Sequence, residues 1–154
     1  MGAAYFYHLT RAPLEVTLPM LLSKARGAGW RVLVRGSDPG RIEWLDQKLW
    51  LVPEEGFLPH GVVGGAHDAD QPVLLCADAP GAAANDAACL MAVDGAPVTP
   101  EEVERMQRVC VLFDGNDAQA LDRARAQWKE LTSAGCAAQY WAEDGGKWEK
   151  KAER

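Results

Sequence analysis

The chain has 154 residues, 48% of them hydrophobic and 25% charged, with a formal net charge of −6. These values predict one soluble globular domain, long enough to bury roughly two thirds of its unfolded surface. The acidic balance argues against broad binding to a phosphate backbone, which needs clustered Lys and Arg, but leaves room for a local basic patch.

AAYFYHL (3–9) reads as a first strand. Residues 13–28 place Leu14, Leu18, Leu21, Leu22 and Ala25 on one face at helical spacing, with Pro13 suited to a first turn. Pro19 predicts a kink or a late start, and Gly27 and Gly29 can end the helix. WRVLVRG (30–36) is a second strand. Asp38 and Pro39 then open a helix carrying Ile42, Leu45 and Leu49, to about Trp50. Residues 51–71, with Pro53, Gly56, Pro59 and a Gly64-Gly65 pair, read as a long loop.

PVLLCAD (72–78) and CLMAVDG (89–95) are the third and fourth strands, separated by the small-residue loop APGAAAND. PEEVERMQ (100–107) is a short helix, RVCVLFDG (108–115) a fifth strand, residues 117–135 the longest helix, and CAAQYWAED (136–144) the last strand. Residues 1–144 thus form one α/β domain, and 145–154 a polar tail expected to be flexible. Near-continuous apolar strands alternating with helices predict a largely parallel or mixed sheet with helices on both faces.

Cys76, Cys89, Cys110 and Cys136 form no CxxC pair and lie in or beside apolar segments, so they read as reduced core thiols of a cytoplasmic protein. No signal peptide is apparent, and no apolar run approaches the ~20 residues that span a bilayer. No membrane partner is expected.

RVCVLFDGND (108–117) raises the question of an active site, because an apolar run ends in Asp114 and Asp117. A phosphatase-like pair needs the second Asp two residues after the first, and that spacing is absent. Asp-Gly-Asn is turn chemistry, and Asn116 or Asp117 can cap the long helix. The capping reading is preferred. The alternative is a small enzyme or nucleotide-binding protein using the Asp114 end of the sheet. Against it, there is no phosphate loop, no GxSxG elbow, no HExxH and no GxGxxG after the first strand. His60 stands in FLPHG, and His67, Asp68 and Asp70 lack evident further ligands. No metal, cofactor or catalytic residue is assigned.

Two features read as binding surfaces. On the long helix, Leu121, Ala124, Leu131 and Gly135 mark the buried face. Trp128 lies at its edge, with Arg125 and Lys129 just beyond. An aromatic ledge beside two cations suits a peptide with an apolar anchor and acidic residues, although Trp128 as plain core is the commoner arrangement. In LWLVPEEGFLPHG (49–61), Trp50 and Phe57 are either core anchors or partner contacts.

These segments, in this order, resemble the chi subunit of bacterial DNA polymerase III. The likeness lies in FYHL, GWRVLVR, LDQKLWLVPEEGFLPHG, QPVLL, RVCVLFDGND and ARAQWKELTSAG, and LWxxPxxxFxPH is the most specific of them. The resemblance implies a Rossmann-like, three-layer α/β domain without an active site of its own. It implies an adaptor that binds the acidic, Pro-Phe-ending tail of single-stranded DNA-binding protein and reaches the clamp loader through a psi-type subunit, with mostly indirect DNA contact. By motif the tail site maps onto Arg125, Trp128 and Lys129, and the psi-facing surface onto Trp50 and Phe57. The stretches 62–70 and 78–88, and Lys147, Trp148, Lys150 and Lys151 after Trp141, depart from the family pattern.

Overall fold

The computed structural model describes residues 2–10, 13–51, 60–62, 71–77, 86–144 and 147–154. In chain order these form β1 (Ala3–Leu9), α1 (Leu14–Gly27), β2 (Val32–Gly36), α2 (Pro39–Leu51), β3 (Gly61–Val62) and β4 (Val73–Ala77). They continue as β5 (Cys89–Ala92), α3 (Pro100–Arg105), β6 (Arg108–Asp114), α4 (Ala118–Ser133), β7 (Ala137–Asp144) and β8 (Lys147–Glu153). The strands build one sheet in the order β3-β4-β2-β5-β6-β1-β7-β8. Neighbours run parallel except β8, which is antiparallel to β7.

VLVRG of β2 and CLMA of β5 are buried throughout, as strands covered on both faces must be. Side chains alternate between two apolar layers. Phe6, Leu33 and Leu90 join Val103 of α3 and Ala124 and Leu131 of α4 on one face. Val32, Val34 and Leu75 join Leu18 and Leu22 of α1 and Leu45 of α2 on the other. The result is the three-layer mixed α/β domain expected. All four cysteines are buried thiols outside any disulfide, as anticipated. A hydrogen bond with Cys89, together with burial, pushes the Cys110 thiol well up, so it is held as an inert core group.

Local chemistry explains most element ends. Thr99 and Glu102 form a reciprocal capping box at the start of α3, with Pro100 in its first turn. Asp117 caps α4, its Oδ1 accepting from the amides of Gln119 and Ala120 at 2.9 and 3.4 Å. Asp114 Oδ1 accepts from the Asn116 amide at 2.9 Å. The capping reading of this stretch therefore holds. α1 begins at Leu14, so Pro19 does not delay it; the Pro13 carbonyl accepts from the amides of Val16 and Thr17.

Three expectations are corrected. Residues 147–153 are a strand, where a flexible tail was anticipated. Their composition is polar because β8 is an edge strand, and only Trp148 turns inward, meeting Tyr7 edge-on at 5.5 Å. The stretch 51–71 contains the short strand β3 paired with β4; residues 52–59 and 63–70, with Phe57, His67, Asp68 and Asp70, lie outside the described residues. Gly135 is exposed, because α4 ends at Ser133 and Gly135 takes the left-handed turn after it, at φ +88°. Among the described residues no helix is long and apolar enough to cross a membrane.

Among the described residues, one ion pair has both partners buried. Arg35 of β2 and Glu102 of α3 are almost solvent-free and bond twice, at 2.6 and 3.0 Å, and Arg35 also donates to the Pro97 carbonyl at 3.1 Å. Burial alone would raise the Glu102 carboxyl, but bonds from Arg35 and Thr99 outweigh it and hold it below the ordinary carboxylate range. Removing one partner would strand a buried charge. Glu102→Ala is expected to cost about 3–5 kcal/mol of unfolding free energy in denaturant titrations. Its folded pKa is depressed, so the wild-type contribution is present above the unfolded carboxyl pKa and disappears as pH falls through the folded one.

Candidate partner-binding site

α4 forms because an Asp cap precedes an Ala-rich segment that buries Ala124 and Leu131. Arg125 and Lys129 are exposed, and Trp128 is half-buried between them and the sheet. At spacings of three and four their side chains rise from one side of the helix. The three are therefore brought together as expected, but Trp128 is not a free ledge. It meets Phe6 edge-on at 5.4 Å and Tyr140 edge-on at 5.9 Å. It is both core and rim.

Beneath this part of α4 lies an aromatic cluster supplied by three adjacent strands. Phe6 and His8 come from β1, Phe113 from β6 and Tyr140 from β7. Phe6 stacks on Tyr140 with centroids 6.4 Å apart, and His8 lies 5.2 Å from Phe113. His8 Nδ1 and the Tyr140 hydroxyl are 2.8 Å apart, a hydrogen bond linking β1 to β7. Gly115 makes room for it: a Cβ there would collide with the His8 ring. That is why glycine follows Asp114.

Charge reaches this cluster from α4. Burial is the main reason the His8 imidazole is held below its usual range; Arg125 adds to the effect and Asp114 opposes it. Burial raises the Tyr140 phenol, and Arg125 partly offsets that. Arg125 thus projects positive potential over the His8–Tyr140 pair. Sequence reading missed both residues. FYHL carries part of the family resemblance, yet nothing local couples position 8 to position 140.

The second candidate surface lies elsewhere. Trp50, near the end of α2, is 52% exposed. Its ring lies 4.2 Å from that of His60. His60 is buried and its Nε2 sits 3.1 Å from the Asp46 carbonyl and 3.2 Å from Asp46 Oδ1, so it serves as a packing post for α2. α2 and α4 cover opposite faces of the sheet. α2 packs near β4, and four strand spacings, about 19 Å, separate β4 from β1.

At the carboxyl ends of β1, β5 and β6 there is an open cleft of about 610 Å3, lined by Arg41, Trp44, Asp94, Asp114, Asp117 and Arg123 among others. This is where parallel sheets of this kind hold small ligands. Here Asp94 pairs with Arg41 at 3.1 Å, and Asp114 and Asp117 bind backbone amides of their own turn and helix. These carboxylates carry structural work.

Residues 1–139 match the family model for the DNA polymerase III chi subunit, HolC. The chain belongs to the DNA polymerase III chi subunit family. It is accordingly an accessory subunit of a replicative polymerase. No curated protein matches the chain. The match spans Trp50, Phe57, Arg125, Trp128 and Lys129 and stops within β7, before Tyr140 and all of β8.

The depressed imidazole pKa has a stability consequence. The folded state binds fewer protons at His8 than the unfolded chain, so stability falls as pH drops below about 6.5, the ordinary histidine value. Thermal unfolding of His8→Gln should lose that component between about pH 7 and 5. An unchanged profile would place His8 in an unperturbed setting.

Proposed function

We propose that the chain is an adaptor that holds the acidic, Phe-ending C-terminal tail of single-stranded DNA-binding protein on α4 and is joined to the clamp loader by a psi-type subunit near Trp50 and Phe57. The reading rests on chi family membership together with one feature of α4: two exposed cations, Arg125 and Lys129, flank an aromatic that is anchored in the core. The terminal phenyl ring packs on the open edge of Trp128 and Tyr140. The carboxylates of the tail meet Arg125 and Lys129 as charge-assisted contacts. A platform fixed by Phe6 loses little freedom when a ligand settles on it, so the cost of ordering falls on the peptide. DNA contact is then indirect, through the coated strand's own protein.

The psi-type contact is supported by Trp50, a large apolar side chain left half in solvent and braced by His60. Its place across the sheet from α4 lets both partners bind at once. That is the requirement of an adaptor.

Calorimetric titration with a peptide copying the tail should give a micromolar-range constant that weakens as salt rises. Arg125→Ala with Lys129→Ala should weaken binding by at least about tenfold at low salt, since each charge-assisted contact is worth roughly 1 kcal/mol. The fold should be unaffected because both side chains are exposed. Trp50→Ala should leave tail binding intact and reduce capture of a psi-type subunit. No heat with the wild-type chain at low salt would overturn the tail assignment. Trp128→Phe is the informative aromatic change, because Trp128→Ala would also open the core at Phe6.

A further inference from the structure

Beyond the family-matched residues lie β8 and the Arg154 that follows it, with four cations in the eight residues 147–154. Residues 147–154 carry a net charge of +2, against −8 for residues 1–146. The segment is not a loose basic tail, because its register assigns each side chain to a face. Trp148 and Glu153 point away from α4: Trp148 packs on Tyr7 and Glu153 accepts from Gln139 at 2.9 Å. Lys150, 3.4 Å from Glu153, shares that face. Tyr140, which touches Trp128, pairs in register with Ala152, so Ala152 faces α4. By alternation Lys147 and Glu149 also face α4, and Lys151, 2.9 Å from Glu149 through the register shift at Tyr140/Trp141, joins them.

We propose that β8 is the second basic wall of the α4 site, making it a groove for an extended acidic peptide. This rests on the tail-binding reading above and extends it. α4 packs against β6 and β7, the strands on either side of β1, so it runs above β1. β8 lies two strand spacings from β1, about 10 Å, which leaves the width of one extended chain beside the helix. The floor of that groove is Tyr140 and Ala142 of β7 with Ala152 of β8, an aromatic surrounded by methyl groups. Arg125 and Lys129 stand on one side; on the other are Lys147 opposite Asp144, Lys151 paired with Glu149, and Arg154 opposite Ala138, three cations to two carboxylates. From Lys147 to Arg154 the wall runs roughly 20 Å, the length of about six extended residues. The apolar terminal residue sits on Trp128 and Tyr140, and the acidic residues before it lie between Arg125 and Lys129 and the net-positive face of β8.

Lysines also protect sheet edges from pairing with other chains, and that role is indifferent to which face they occupy. A groove is not. The test is fluorescence titration of the same acidic, Phe-ending peptide into the full chain and three variants: Lys147→Ala, the double Lys147→Ala/Lys151→Ala, and Lys150→Ala. Unfolding curves confirm that each hairpin is intact. The expected result is a loss of about twofold for Lys147→Ala and about fivefold for the double variant, with a shallower salt dependence and no change for Lys150→Ala. Equal effects of Lys147→Ala and Lys150→Ala, or none from any of them, would overturn the groove while leaving the α4 site standing. Failure of the wild-type chain to bind the peptide would overturn the tail reading itself.

Discussion

The edge of Trp128 against Phe6 is the contact on which the proposed partner-binding surface depends. Phe6 is fully buried at the centre of β1, between β6 and β7. Trp128 meets it at 5.4 Å, which sets the rotation of α4 about its own axis. Once that rotation is set, Arg125 and Lys129 must emerge on the flank above β7, because a helix offers no other place for positions three before and one after. Tyr140 completes the arrangement by touching both rings. The site is thus a consequence of core packing, and its aromatic is preorganised by the same contacts that stabilise the fold.

The buried Arg35–Glu102 pair performs a related task on the same face. It ties β2 to α3 across the layer that also contains α4. Ion pairs in such places contribute more to geometry than to net stability, since desolvation cancels much of the attraction. Here Glu102 is shared: it takes two bonds from Arg35 and closes the capping box of α3. One carboxylate therefore fixes the start of a helix and its docking on the sheet.

The division of labour between faces suits an accessory subunit. The crevice where parallel sheets usually hold substrates is occupied at its rim by carboxylates bound to their own backbone or to Arg41. The residues proposed to meet partners lie elsewhere, on the outer flank of α4 and at the end of α2. With helices on both faces of one sheet, the two proposed partners would be held apart without a hinge. β8 adds to the α4 side alone.

Much of this was legible in the order of residues. Apolar runs alternating with amphipathic stretches determined the α/β class, since strand and helix periods are written within a few positions. Asp117 and the Asp38-Pro39 pair announced two helix starts for the same local reason. The spacing of Arg125, Trp128 and Lys129 placed them on one side of a helix before any fold was known. What only the tertiary structure decided was whom they meet. The strand order, the insertion of β1 between β6 and β7, and the His8–Tyr140 bond across 132 positions have no local signature. β8 was hidden for a different reason: an exposed edge strand with one inward tryptophan has the composition of a loose tail, and only pairing with β7 reveals which of its lysines share a face with α4. Local periodicity is carried by neighbours along the chain, whereas a binding surface is made by residues that closure of the sheet brings together.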